Sequence, residues 1–173
     1  MMLRSMFAFA LCLQACGGPN SESDLQTFSH YVQNFPQFPH PELTPGSTCK
    51  NPDEYRYPER IQYCRRSVST SKKYHVIENY DKILNYSIQS MARRDFKVDH
   101  YIPLCLGGGN QQENLWPQHE SVYRLTDPIE QKLCILLQKG RLSQKEAIQT
   151  VVHAKNNLNQ ANKISAQLDA MLK

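Results

Sequence analysis

The sequence contains no C-x-x-C pair, so its six cysteines lack the spacing of a zinc knuckle. No apolar run is long enough to cross a bilayer and stay there: the stretch from Met6 to Leu13 falls far short of the ~20 residues a span needs. Charge of one sign is not abundant either. Twenty Lys and Arg against sixteen Asp and Glu leave a formal charge of +4, which suits a polyanion-binding surface but is equally common in soluble proteins that bind none. Glycine is scarce at seven residues, yet three stand together at Gly107, Gly108 and Gly109, so one loop concentrates much of the freedom. A mean hydropathy of -0.60 describes a soluble chain with a modest core, and 173 residues allow one domain of ordinary size.

The two ends of the first fifteen residues read as a secretory signal. Arg4 supplies the positive start, Met6 to Leu13 the apolar run, and Leu13-Gln14-Ala15 precedes Cys16. Leu-x-Ala-Cys-Gly resembles a bacterial lipobox, which makes Cys16 the expected lipidated residue; Gln14 is bulkier than that position usually takes, and simple cleavage near Ala15 is the alternative. Residues 16–47 hold eight Gly and Pro residues with little periodicity and read as a flexible tether, with at most a short helix over 25–32. His30 and His40 are read as solvated there. Export leaves Cys49, Cys64, Cys105 and Cys134 in an oxidising compartment, and disulfides are expected; three pairings are open, each bond contributing roughly 2–4 kcal/mol.

Residues 48–70 interleave Lys50, Arg56, Arg60, Arg65 and Arg66 with Tyr55, Tyr57 and Tyr63, a pattern that suits phosphate neutralisation and base stacking, or a disulfide-pinned loop whose tyrosines fill the core. Tyr74, Val76, Ile77, Tyr80 and Ile83 predict a helix from Ser71 to about Leu84. Arg93 and Arg94 follow as candidate phosphate clamps.

The stretch from Phe96 to His119 carries the densest pattern. Phe96, Val98, Tyr101 and Ile102 form a β-prone run that delivers Asp99-His100 and breaks at Pro103; the glycine loop follows, and the chain returns through Asn114, Leu115 and Trp116. A hairpin would bring Asn114 back beside His100. Asp-His, the proline three residues later, the Leu-Gly-Gly turn and the downstream Asn-Leu resemble the HNH nuclease motif, the ββα-metal site of many DNA-cutting enzymes. The wording VDHYIPLCLGG…ENLWPQ is similar to a bacterial exported subgroup, and the likeness extends from Leu43–Cys49 to the Glu130…Gly140-Arg141-Leu142-Ser143…Glu146-Ala147 tail, roughly residues 43–150.

That resemblance implies His100 as general base, Asp99 as metal ligand and Asn114 as the residue that steadies the loop and polarises the imidazole. It implies a further ligand about nine positions beyond Asn114, where Tyr123 stands. His119 is the expected substitute, because Asp127-Pro128-Ile129-Glu130 reads as a helix start, with Asp127 as cap and Glu130 completing a capping box. Oxygen and nitrogen ligands suit Mg²⁺ or Mn²⁺, with Zn²⁺ or Ni²⁺ as alternatives. Without the flanking matches, Asp99-His100 beside a glycine loop would read as a structural turn.

Beyond the motif, Ile129, Leu133, Leu136 and Leu137 predict a helix ending at Gly140, and Ser143…Glu146 is a capping box opening a second, continued by Ala147, Ile148, Val151, Val152 and Ala154. An amide-rich break at 156–160 precedes a last segment with Ile164, Leu168 and Met171. The expected fold is α+β, a ββα-metal hairpin and helix embedded in further helices over residues 48–173. The expected activity is metal-dependent hydrolysis of DNA, with RNA also in reach, Arg66, Arg93 and Arg94 meeting the nucleic acid. The expected place is the periplasm or outer membrane as a lipoprotein, or the medium, with no membrane contact beyond the lipid anchor and no protein partner. The rival from another class is a non-catalytic envelope lipoprotein that keeps the frame for nucleic-acid or cell-wall binding.

Overall fold

Local sequence signals account for most of the elements. In the computed structural model, which describes residues 34–173, a short hairpin of β1 (Glu54–Arg56) and β2 (Ile61–Tyr63) comes first. Helix α1 (Thr70–Leu84) follows, its first turn capped by the Ser69 side chain, which accepts from the Lys72 amide. Strands β3 (Phe96–His100) and β4 (Leu115–His119) pair antiparallel, in register from Phe96 opposite His119 to His100 opposite Leu115. Three helices close the chain: α2 (Glu120–Gln138), α3 (Gln144–Asn156) and α4 (Ala161–Leu172). The α+β class is the one the patterning predicts, and the capping box of Ser143 and Glu146 is formed at the start of α3. The signal, Cys12, Cys16, His30 and the helix expected over 25–32 lie outside the described residues.

Two apolar clusters fill the interior. Phe96, Val98, Leu115 and Trp116 of the β3–β4 hairpin pack with Val76 and Tyr80 of α1 and with Val122. Ile129, Leu133, Leu136 and Leu137 of α2 pack with Ala147 and Val151 of α3 and Ile164 and Leu168 of α4. Helix α2 therefore changes partners between Val122 and Ile129, in the turn that carries Asp127.

This dual burial explains a departure from the expected boundaries. Helix α2 begins at Glu120, so Asp127 and Glu130 are interior helix residues and not a cap, and Pro128 sits inside the helix. A proline there costs roughly 3 kcal/mol, which burial of Val122, Thr126 and Ile129, all 0% exposed, offsets. Tyr74 and Ile83 of α1, expected on the inner face, are more than half exposed. The segment read as a tether is packed from residue 34 onward: Thr44 is fully buried, its hydroxyl donating to the Leu115 carbonyl at 2.9 Å, and the Tyr80 hydroxyl meets both Thr44 and the His40 amide.

Disulfides join Cys49 to Cys64 and Cys105 to Cys134, across Cα separations of 5.6 and 5.7 Å. Two such bonds are compatible with an extracytoplasmic protein. The loop between β3 and β4 is braced by the segment before Cys49: Thr48 bridges Gly108, the Cys49 amide donates to Gly107 at 2.8 Å and Gly109 donates to Ser47 at 2.9 Å. Of the three loop glycines only Gly107 uses a positive φ, +87°. Gly108 is required for another reason, since a Cβ there would collide with the Ile102 carbonyl. Gly108→Ala is expected to cost about 1–3 kcal/mol, as overpacking does, and to lower the thermal unfolding midpoint measured by circular dichroism.

Candidate functional site at the end of the hairpin

The loop is closed by one side chain. Asn114 is fully buried; its Oδ1 accepts from the Ile102 amide at 2.9 Å, and its Nδ2 donates to the carbonyls of Ile102 and Gly109, both at 2.9 Å. Its own carbonyl accepts from the Tyr101 amide at 2.7 Å. Asn114 thus steadies the loop after His100, as expected, but its hydrogen bonds go to backbone and not to the imidazole.

The imidazole is held by a different amide. His100 is 2% exposed, and its Nε2 lies 3.1 Å from Asn110 Oδ1. Asn110 Nδ2 donates to the Arg65 carbonyl and Oδ1 accepts from the Ser67 amide, which fixes which end of the amide is oxygen. Nε2 must therefore carry the proton. In the neutral ring Nδ1 is then the acceptor, 3.3 Å from Arg66 Nη1, on the side of Asp99.

Asp99 points from β3 toward α2. Its Oδ1 accepts from the His100 amide at 2.9 Å and from Arg66 at 3.2 Å, while Oδ2 pairs with Lys97 Nζ at 2.8 Å. Lys97 also reaches both oxygens of Asp127 at 2.7 Å and lies over the Tyr123 ring. Asp127 and Glu130, three residues apart on one face of α2, bring carboxylate oxygens within 4.8 Å of Asp99 and of each other. Glu130 pairs in turn with Lys155 Nζ at 2.6 Å.

Three carboxylates this close would repel, and three cations compensate. Burial pushes the Asp99 carboxyl up, but its bond with His100 and the charges of Lys97 and Lys155 outweigh that and hold it well below the usual carboxylate range. Burial works against the Lys97 ammonium, and Asp99 and Asp127 more than offset it, raising it. Glu130 goes the other way: burial raises it despite Lys155. Oxygen donors of this kind suit a hard divalent cation, and an ion taking all three would compete with Lys97 for Asp99 and Asp127.

The expected third ligand is not part of this group. His119 is at the other end of the hairpin, opposite Phe96, three positions or roughly 10 Å along the strands from the Asp99–Trp116 pair. It caps α2, with Nδ1 accepting from the Ser121 amide at 3.2 Å, and stacks on Phe35 at 4.0 Å. Tyr123, at the position the spacing indicated, faces Lys97. Of the three expected nucleic-acid contacts only Arg66 is at the site. Arg93 donates to the Phe96 carbonyl at 2.7 Å at the far end of the hairpin, and Arg94, its side chain 90% exposed, pairs with Asp95. Several tyrosines of the first hairpin engage its own arginines, Arg56 lying 3.3 Å over Tyr63 and Arg60 5.4 Å from Tyr55.

Asn110, Lys97 and Lys155 were not singled out from the sequence. Lys97 shares a strand face with Asp99, and Lys155 falls four residues after Val151 on the apolar stripe of α3, a place where a charge requires a buried partner. No protein-family model, curated protein or solved structure matches the chain.

A carboxyl held low contributes stability that is fully present above its unfolded value, about 3.9, and is lost as pH falls toward the lower folded value. The difference in thermal midpoint between wild type and Asp99→Asn is therefore expected to be largest above pH ~4 and to shrink between pH ~4 and ~2, as read by unfolding at a series of pH values.

Proposed function

We propose that this chain is a metal-dependent endonuclease of the HNH type, hydrolysing phosphodiester bonds in DNA. The observation that carries the reading is the buried imidazole of His100, held with Nε2–H on Asn110 and Nδ1 turned toward Asp99, whose carboxylate is grouped with those of Asp127 and Glu130. The resemblance of the Asp99–Asn114 stretch to the HNH motif supports the same assignment, with β3, β4 and α2 as the strand, strand and helix of a ββα-metal unit. In place of His119, the ligand candidates beside Asp99 are Asp127 and Glu130.

The roles follow from the contacts. Asn110 keeps the proton on Nε2, so Nδ1 is the atom able to take a proton from an attacking water. Arg66, its side chain 46% exposed, would exchange His100, Asp99 and the Val98 carbonyl for a substrate phosphate, neutralising it and uncovering Nδ1 in the same movement. Asp99, Asp127 and Glu130 would hold Mg²⁺ or Mn²⁺, with Zn²⁺ or Ni²⁺ as alternatives. When bound, such an ion neutralises charge developing on the phosphate and leaving oxygen. Lys97 must yield Asp99 and Asp127 to it. Export through the N-terminal signal, with Cys16 as a lipid anchor, places the activity in the envelope or outside the cell.

A second reading is favoured by one observation: Lys97, Lys155 and Arg66 balance the three carboxylates without any metal. On that reading the chain is an envelope lipoprotein that binds nucleic acid or cell wall through this frame and does not cut. Plasmid cleavage by the oxidised protein with Mg²⁺, Mn²⁺, Zn²⁺, Ni²⁺ or EDTA separates the two. Nuclease action predicts metal-dependent nicking that drops about 10²–10⁴-fold in His100→Ala. Equal inertness of wild type and variant with every metal would favour the binding reading.

A further inference from the structure

Among the described residues Lys155 is the one Lys, Arg, Asp or Glu that is buried, and beyond balancing charge it has no role in the reaction proposed above. It lies in the last turn of α3, is 0% exposed, and its Nζ donates to the His100 carbonyl at 2.7 Å and the Tyr101 carbonyl at 3.0 Å while pairing with Glu130 at 2.6 Å. Its two hydrogen bonds go to the carbonyls, and the Glu130 carboxylate meets its charge as an ion pair. Two belong to the strand end that carries His100, where β3 leaves its ladder with β4; the third belongs to α2. One buried cation on α3 therefore joins the two elements whose separation decides whether Asp99 and Glu130 stand within reach of one ion. The neighbouring Asn156 adds a parallel tie, donating to the Tyr101 hydroxyl at 2.6 Å. A solvated or merely space-filling lysine would not meet two carbonyls and a carboxylate from two elements at full burial, since a charge taken out of water is retained only where such partners repay its desolvation.

We propose that Lys155 is a positioning residue of the site: its ammonium sets the strand bearing Asp99 and His100 at the spacing from Glu130 that cation binding and proton transfer require. The inference rests on the nuclease reading. It does not make Lys155 a catalytic residue, because its amine is engaged by the His100 and Tyr101 carbonyls and by Glu130, at full burial, and acts through the groups they carry.

The test uses the full-length oxidised protein and two readouts, plasmid cleavage and Mn²⁺ affinity by calorimetry, at a temperature where circular dichroism shows each variant folded. Lys155→Met keeps length and apolar bulk and removes the cation. It is expected to lower kcat about 100-fold while KM for DNA stays within about threefold, the scale of loss that misplacing reacting groups by about an ångström produces. Mn²⁺ is expected to bind at least about tenfold more weakly, as when a ligand's supporting partner is removed. A purely stabilising lysine would lower the unfolding midpoint and leave kcat per folded molecule and Mn²⁺ affinity unchanged, which overturns the proposal. If Lys155→Met does not fold, Lys155→Gln, which still donates to two acceptors, carries the same readouts and the same criteria. Wild type that neither cuts nor binds Mn²⁺ removes the nuclease reading and this inference together; wild type that does both, beside a folded variant that equals it, removes the inference alone.

Discussion

The site depends on the amide of Asn114. A chain that turns back from β3 to β4 through a glycine loop leaves the Ile102 amide, the Ile102 carbonyl and the Gly109 carbonyl without ladder partners inside the fold, and each orphan would cost roughly 1–3 kcal/mol. Asn114 satisfies all three from one fully buried side chain. Because the loop is fixed, Asn110 stands where its oxygen meets His100 Nε2, and because Asn110 is anchored by Arg65 and Ser67, the imidazole has one tautomer and one orientation. The disulfide from Cys49 to Cys64 and the strand-like contacts of residues 46–49 press on the same loop from outside.

Around this frame the dominant problem is charge. Asp99, Asp127 and Glu130 are drawn together by packing of β3 on α2, a grouping that their mutual repulsion opposes. Lys97, Lys155 and Arg66 answer it from a strand, a helix and a loop, so that compensation also welds three parts of the chain. The three cations are not equivalent. Arg66 is on the surface and able to exchange partners, Lys97 is half-buried between two carboxylates, and Lys155 is sealed in. Solvent exposure therefore rises from the interior of the site to its mouth.

How much of this was legible depended on whether the signal was local. The hairpin, the glycine loop, the Ser143–Glu146 box and the helices after it follow from adjacent residues, and they formed as the patterns indicate. The start of α2 did not. Asp127-Pro128 carries the local chemistry of a helix beginning, yet Val122 and Thr126 have partners in the core and draw the helix eight residues further toward the N-terminus. Misplacing that start turned Asp127 and Glu130 into capping residues and left His119 as the expected third metal ligand, although strand register puts it at the other end of the hairpin from Asp99. The flexible tether expected up to residue 47 gives way from residue 34 onward in the same manner: prolines and glycines suggested a linker, while the Thr44 and Tyr80 hydroxyls, thirty-six residues apart, pin that part to the domain.

The sequence by itself determined which residue types meet at the turn, Asp99 and His100 before it and Asn114 after it, because strand periodicity and a glycine loop constrain only neighbours. Only the tertiary structure decided which carboxylates and which cations complete the group. Asp127, Glu130, Lys155 and Arg66 come from segments between 28 and 56 positions from Asp99, and their meeting is set by how α2, α3 and the loop before α1 pack on one hairpin, a sum of many weak apolar contacts that no short pattern records.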